Sequence, residues 1–549
     1  MKRISIMILF AVLLTSVFGQ NSEKLFTVRD TIVGKSQITG QSIIAKKHAP
    51  TSRIIGWHWD GQTDNLLLEL RIPNNDMKSH NNNALLAMFD LNTKQVKWTR
   101  QINGKSSEIK LQENNYFLSE KKNNFRIHPE TGNVLWENRN EFYFIAPHMN
   151  IGIGYPLRSY SNKLTAVDLS TGKELWKIKI DRTNGWDDAY MLNDTTLLIA
   201  ADGIKAVNLT NGASWVHNAN TSKKEIGKMV GINVAGIILG IFTGVMVYQT
   251  EPDVTSNMVS NMLIDPQENT LLASRNHIFK VDRSGNKIWS TDLPKKESSS
   301  SSIFQIDSVV YLINKGYGEY NGRFSIVGNP YFAAFDSQNG KRLFSTPIAE
   351  KNDFIRTFQA VDDRLFLVFK NRIIAYSLTD GSIITETAIE LQEGELPDKF
   401  VESGIYRKVN GNRFQELASD FSNHNLMMTS RGRIFILTDN LEALYVYEKD
   451  DLYQEKIANT DYKLISNNDS DYLILDDSGS QLATLKTSAD MFINNNKLVF
   501  IDKDAVWEMD LDKTQHTFTS PLWQSILENL SGYVSLKKIK GDLPRFFAF

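Results

Sequence analysis

The sequence predicts an all-β protein, a β-propeller of about eight four-stranded blades within a range of seven to ten, with a helical hydrophobic insertion. A strand-rich pattern recurs along most of the 549 residues, and its first copies lie about one blade apart. Hydrophobic residues make up 41% of the chain, which is enough for a large core. A repeat fold also accounts for a chain that is long for one domain.

The repeat is a short β-rich run, an Asp-like residue, a turn and then an aromatic residue. Its clearest copies are ALLAMFDLNTKQVKW (84–98), FRIHPETGNVLW (125–136), LTAVDLSTGKELW (164–176), IKAVNLTNGASW (204–215), IFKVDRSGNKIW (278–289) and FAAFDSQNGKRLF (332–344). The first four Asp-like positions are 38, 40 and 40 residues apart, close to the length of one four-stranded blade, about 40–45 residues. The alternation of side chains in these runs is typical of strands.

The chemistry of the turn explains which residues recur. Asp or Asn accepts backbone N–H groups and tightens the turn, and glycine supplies a positive φ. The Trp that follows can bury its ring between adjacent blades while its indole N–H finds a partner. The predicted blade-docking residues are Asp90, Trp98, Trp136, Ala166, Asp168, Gly172, Trp176, Trp215, Asp282 and Trp289.

The best copy, with Ala166, Asp168, Gly172 and Trp176, resembles the docking motif A-x-D-x-x-x-G-x-x-x-W of PQQ-like (quinoprotein alcohol dehydrogenase-like) β-propeller repeats. The resemblance extends with decay from about residue 61 to 514. Departures include His128 for Asp, Lys94 for Gly, and Phe344 and Thr385 for Trp, and copies near Tyr447, Asp476 and Asp510 are barely recognisable. It implies a propeller of the non-catalytic branch, similar to the outer-membrane assembly propeller.

The first 19 residues predict a signal peptide. Lys2 and Arg3 precede an uncharged run of 15 residues from Ile4 to Phe18, and cleavage is expected after Gly19. We therefore expect an exported protein in the periplasm, at the outer membrane or outside the cell. The expected organisation is a signal peptide (1–19), an N-terminal lead-in (20–60), the propeller (61–514) and a C-terminal docking tail (515–549).

A Gly-rich hydrophobic insertion is predicted at residues 220–262. Met229 to Thr250 carry no charge, and Gly236, Gly240 and Gly244 recur at helical spacing. The interpretations left open are a hairpin or strand pair buried against the propeller, and a helical excursion (226–250) that touches a membrane peripherally or a partner. A full span is not expected, because a closed propeller needs both flanks on one side of the membrane.

A second loop (314–332) is rich in aromatic residues and glycine. Such residues on adaptable loops are typical of binding surfaces, although a long hairpin with packed aromatics would show the same pattern. With the glycines of the insertion, its residues are the predicted partner contacts: Tyr317, Tyr320, Arg323, Tyr331, Phe332, Gly236, Gly240 and Gly244.

Catalytic signatures are sparse in the sequence. The catalytic PQQ propellers would imply a calcium ion and a quinone stacked between a Trp and a vicinal disulfide, but the chain has no cysteine. The formal net charge of −2 does not favour nucleic acid as a partner. We therefore expect no cofactor, metal or catalytic residues, and a protein partner in the cell envelope. The alternatives are a PQQ-dependent oxidoreductase and a carbohydrate-binding propeller.

Overall fold

The computed structural model describes residues 25–510 apart from short gaps. The residues not described inside that range are 74–79, 159–160, 181–187, 201–202, 219–245, 249–259, 275, 295–296, 298, 321–322, 327, 349–354, 423, 439, 459–461, 469, 488–489 and 496. The described part is almost entirely β-structure, with short helical turns at Pro147–Met149, Leu417–Asp420 and Lys449–Asp451.

The described part begins with a hairpin, β1 (Phe26–Ser36) and β2 (Ser42–Pro50), and continues into a series of antiparallel units. Unit 1 is β3–β6 (Arg53–Trp59, Asn65–Pro73, His80–Asp90, Val96–Asn103), unit 2 is β7–β10 (Ser107–Gln112, Asn115–Glu120, Asn123–Ile127, Val134–Asn138), unit 3 is β11–β14 (Asn140–Ala146, Ile151–Pro156, Lys163–Asp168, Glu174–Lys179), unit 4 is β15–β18 (Asp188–Asn193, Thr196–Ala200, Gly203–Asn208, Ser214–Asn218) and unit 5 is β19–β23 (Met246–Tyr248, Met262–Ile264, Thr270–Ala273, His277–Val281, Lys287–Asp292).

Units 6 and 8 each carry an inserted hairpin. Unit 6 is β24, β25, β28 and β29 (Ser301–Ile306, Val309–Asn314, Tyr331–Asp336, Arg342–Pro347) with the hairpin β26–β27 (Tyr317–Tyr320, Arg323–Ile326), unit 7 is β30–β33 (Thr357–Val361, Arg364–Val368, Arg372–Ser377, Ile383–Ala388), and unit 8 is β34 and β37–β39 (Pro397–Val401, Asn425–Thr429, Ile434–Leu437, Ala443–Tyr447) with β35 (Ile405–Asn410), β36 (Arg413–Glu416) and α1 (Leu417–Asp420) between its first two strands.

The last two units involve both ends of the described chain. Unit 9 is β40–β43 (Leu452–Ala458, Tyr462–Ser466, Asp471–Asp476, Gln481–Lys486), and unit 10 is β44–β46 (Asp490–Asn494, Lys497–Ile501, Val506–Asp510) with β2 as its fourth strand. Lys46 of β2 lies opposite Glu508 of β46, and β1 also pairs through Gly34–Ser36 with β43 of unit 9. The N-terminal hairpin therefore links units 9 and 10.

The apolar cores lie between units, so the units form a closed ring. Leu67 of unit 1 packs with Tyr116 of unit 2 in one such core. The ring closes where Leu66 and Phe89 of unit 1 share a core with Val499 of unit 10. The described residues thus form a β-propeller of ten units, each four-stranded except the five-stranded unit 5, at the upper end of the expected range rather than near eight.

Two expected boundaries need correction. Within the expected lead-in (20–60), the described residues belong to the propeller, because β2 completes unit 10, β1 pairs with β2, and β3 begins unit 1 at Arg53. Within the predicted insertion (220–262), Met246–Tyr248 is a strand paired with Met262–Ile264 of unit 5, so a helix at those positions is wrong. The described strands of both segments therefore belong to propeller sheets. The rest of the insertion lies outside the described residues.

Candidate interaction surface

The Asp-like residue of each repeat organises the turn between the last two strands of its unit. The Asp168 carboxylate accepts the backbone N–H groups of Ser170 at 2.7 Å and Thr171 at 3.1 Å. Asp90 does the same and contacts Lys97 Nζ at 3.2 Å. Burial would raise the pKa of Asp90, but hydrogen bonds from Thr93, Lys97 and Asn92 lower it below its usual value. These two carboxylates therefore stabilise the turns of their units.

Each docking aromatic reaches the turn of the following unit. The ring of Trp136 packs on Gly172, where a Cβ would lie 2.7 Å from the indole, and its Nε1 donates to the Leu169 carbonyl at 2.6 Å. Gly172 also has a φ of 72°, so both space and backbone require glycine. The same docking contact recurs in five further pairs: Trp98–Gly132, Trp176–Gly212, Trp215–Gly285, Trp289–Gly340 and Phe344–Gly381.

This series of docking contacts ends at the turn of unit 7, and a different contact joins units 8 and 9. The turn glycine of unit 9, Gly479, has a φ of 81°, and a Cβ there would lie 2.1 Å from the backbone oxygen of Phe414 in β36. Tyr406 and Phe414 of the inserted hairpin form a core with Ile465 and Leu475 of unit 9. The inserted hairpin therefore holds the position that a docking aromatic of unit 8 would take.

Tyr445 of unit 8 holds the position of a docking aromatic, but the turn of unit 9 on which it would pack is occupied by the inserted hairpin. It pairs with Ile436 in the register that places Trp136 opposite Arg126 and Trp176 opposite Ala166 in units 2 and 3. Its side chain is 56% exposed. An aromatic residue at the docking position has thus become part of the surface.

Neighbouring aromatic rings surround Tyr445 and form what we call the aromatic patch: Phe421, His424, Tyr445 and Tyr447. The ring centroids of Phe421 and Tyr445 are 5.7 Å apart, those of Tyr445 and Tyr447 are 6.3 Å apart, and those of Phe421 and His424 are 5.8 Å apart. These separations lie within the usual range of aromatic pairs. The patch is therefore a contiguous aromatic surface.

A charged pair supports the edge of the patch. Arg407 of β35 donates to the Asp420 carboxylate through Nε at 3.1 Å and Nη2 at 2.5 Å, and Gln415 donates to the other carboxylate oxygen. The hydrogen bond to Asp420 raises the pKa of Arg407. The guanidinium lies 6.0 Å from the ring centroid of Tyr447. The patch thus combines Tyr and Arg, which are enriched at protein interfaces.

The sequence did not reveal this surface. The stretch from Glu390 to Asn423 is polar and carries no copy of the repeat, and the copy near Tyr447 is too degraded to show that Tyr445 holds the docking position. The missing turn glycine at Leu441 does not indicate it, because Lys94 replaces the same glycine in unit 1 and Trp98 still packs on Gly132.

The partner contacts predicted from the 314–332 loop need correction. Tyr317 and Tyr331 are each 4% exposed and Phe332 is fully buried, so these three rings belong to the propeller core and are not accessible to a partner. Tyr320 and Arg323 lie at the ends of the paired strands β26 and β27. Gly236, Gly240 and Gly244 lie outside the described residues.

Two observations bear on the calcium ion and quinone that the family resemblance implies. The chain has no cysteine for a vicinal disulfide. Among the residues that the structure describes, no group of three or more His, Asp or Glu side chains could hold a metal ion.

No helix of the described part is long and apolar enough to cross a membrane.

One family model matches part of the chain. The family described as outer membrane protein assembly factor BamB, with PQQ-like repeats, matches residues 157–387. No curated protein matches the chain.

The similar solved structures are distant. BamB from Moraxella catarrhalis is 11% identical, covering 73% of this chain and 95% of that chain with a TM-score of 0.31. The dihydro-heme d1 dehydrogenase NirN is 10% identical, covering 67% and 71% with a TM-score of 0.31. The C-terminal WD40 domain of Sif2 is 10% identical, covering 74% and 99% with a TM-score of 0.29. At such scores these likenesses carry no argument about function.

Proposed function

We propose that this chain, whose residues 157–387 match the PQQ-like propeller repeat family, is a non-catalytic scaffold that binds a protein partner through the aromatic patch. The family match supports a propeller whose role is to hold other proteins, and the family's description as an assembly factor suggests the cell envelope as the place. The leader-like residues 1–19 favour export to that compartment.

The observation that carries this proposal is the displaced docking position at Tyr445. An aromatic ring that elsewhere packs between units is here 56% exposed, because the inserted hairpin occupies its place. Aromatic side chains on a surface expose apolar area to water, and their burial by a partner is favourable. Because Arg407 and Asp420 brace the patch, little conformational freedom would be lost on binding.

Site-specific crosslinking tests the proposal. A photoreactive phenylalanine analogue placed at position 445 in the full-length protein, in cells that produce it, should yield a discrete adduct with a partner. The matched control is position 446, because Val446 is 42% exposed on the same strand but faces the opposite side. A Phe421→Ala change should abolish the adduct at position 445. The absence of an adduct, or equal adducts at both positions, would contradict the proposal.

A further inference from the structure

The N-terminal strand β1 presents an open edge. It pairs with β2 from Phe26 to Lys35, but on its other side it pairs with β43 only through Gly34–Ser36. Across Phe26–Ile32 no other strand of the described structure adjoins that side. An edge strand directs the N–H and C=O groups of every second residue away from its neighbour, where another strand can pair with them.

Side chains beside this edge form an apolar face with one charged pair. Val28, Ile32 and Ile44 are 56%, 67% and 57% exposed. Ile32 lies directly opposite Ile44, so their side chains share a face, and Asp30 contacts Lys46 at 3.2 Å on that same face. Arg29 is exposed on the other face of β1. The edge thus offers alternating aliphatic and acidic side chains on one face and a basic one on the other.

A second copy of this chain does not suit the edge. Suppose that the β1 edges of two copies paired as antiparallel strands about a two-fold axis. Directly opposite residues would then have side chains on the same face of the sheet, so a residue of one copy could lie opposite only a residue whose number differs by an even amount. Centring such a pair on Asp30 or on Arg29 places identical charges opposite each other, which is destabilising. Centring it on Val28 or Thr31 leaves both charges opposite uncharged residues. No symmetric register brings Arg29 opposite Asp30, so the charges favour a different chain.

We propose that the Phe26–Ile32 edge of β1 accepts an extended segment of a different protein as an added antiparallel strand. Opposite Ile32, Thr31, Asp30, Arg29 and Val28 in turn, this segment carries an aliphatic residue, any residue, a basic residue, an acidic residue and an aliphatic residue. The aliphatic residues extend the Val28–Ile32 face, and the two charges pair with Asp30 and Arg29. Backbone hydrogen bonds supply affinity and these side chains supply selectivity.

Two synthetic peptides test the proposal on the full-length protein. A fluorescent peptide with Val-Thr-Lys-Glu-Val at its centre should bind about tenfold more tightly than one with Val-Thr-Glu-Lys-Val, since swapping the charges sets like charges opposite each other. The double change Arg29→Glu and Asp30→Arg should reverse this preference. Methylation of the peptide backbone nitrogens that face β1 should abolish binding, because those donors are lost.

The outcomes separate this site from the alternatives. Failure of both peptides to bind at millimolar concentration, equal binding of the two, or indifference to backbone methylation would each overturn it. Binding that appears only after residues 511–549 are removed would mean that this chain covers its own edge, and would also overturn it. A Tyr445→Ala variant should bind the peptide as the unaltered protein does. Failure of the peptide experiment would therefore not contradict the proposed function of the aromatic patch, and failure of the crosslinking experiment would not contradict the β1 site.

Discussion

At the scale of single residues, the docking positions were accessible from the sequence because their constraints are local. Three residue types mark a docking turn within about a dozen residues of sequence. They are an Asp that closes the turn, a glycine at positive φ and a Trp whose indole N–H can donate a hydrogen bond. The structure shows Asp168 holding the turn of unit 3, and Trp136 of unit 2 packs on Gly172 of that turn. The burial of Tyr331 and Phe332 was not accessible, because glycine-rich surroundings look the same around core and surface aromatics.

The Trp136→Ala change should reduce the free energy of unfolding by about 3–5 kcal/mol, because a buried ring between two units is removed. Trp136→Phe should cost less, since it retains most of the ring but loses the hydrogen bond to Leu169. Denaturant unfolding of both variants measures this. The control is Leu135→Ala, since Leu135 is 45% exposed on the same strand. Equal costs for Trp136→Ala and Leu135→Ala would show that the docking contact contributes no stability.

At the scale of elements, the repeats were predictable where the motif is intact, and the two irregular parts were not. The hairpin β35–β36 has no repeat signature, and its position depends on contacts with unit 9, which follows it in the chain. The strand Met246–Tyr248 was hidden in an uncharged, glycine-rich run whose spacing favoured a helix. Pairing partners, rather than local composition, decided both cases.

The contact between the inserted hairpin and unit 9 predicts a specific effect of Gly479→Ala. The new methyl group would collide with the Phe414 backbone oxygen and also force a positive φ on alanine. Limited proteolysis should therefore cut the hairpin faster. Gly394→Ala is the matched control, because Gly394 has a φ of 74° but a Cβ there meets only Arg431 at 3.8 Å. Similar proteolysis of both variants would mean that the hairpin does not depend on this contact.

At the scale of the whole molecule, ring closure was the least predictable feature. Lys46 and Glu508 pair from opposite ends of the described chain. No local sequence pattern in either strand predicts that the two strands pair. The closure is also polar: Glu508 contacts Lys497 at 3.2 Å and Lys94 of unit 1. The repeat period set the range of unit numbers, but only the pairing of β2 with β46 fixes ten.

Acid should weaken this closure through His48. Burial lowers the pKa of its imidazole, Glu508 opposes that effect, and Lys94 and Lys46 add to it. The folded protein keeps the ring neutral, whereas the unfolded chain takes up a proton below about pH 6.5. The contribution of His48 to the free energy of unfolding is therefore fully present above about pH 6.5. It decreases as the pH falls from there toward the lowered pKa of His48.

Thermal unfolding of the unaltered protein and a His48→Phe variant between pH 8 and pH 5 measures this effect. The variant keeps a ring beside Phe89, which lies 5.4 Å from the imidazole, but cannot titrate. Its melting temperature should decline less below pH 6.5 than that of the unaltered protein. The remaining decline includes His58, whose pKa burial also lowers. Parallel pH profiles for the two proteins would show that His48 has no part in it.

The closing strand also sets an order of events during synthesis. The β1–β2 hairpin is made about 450 residues before its partner β46. At about 5–20 residues per second, the hairpin would wait roughly half a minute or longer for that partner. During this interval both of its edges and its aliphatic face are open to other chains. Aggregation of this protein should therefore start during translation, at its N-terminal hairpin, rather than from the finished ring.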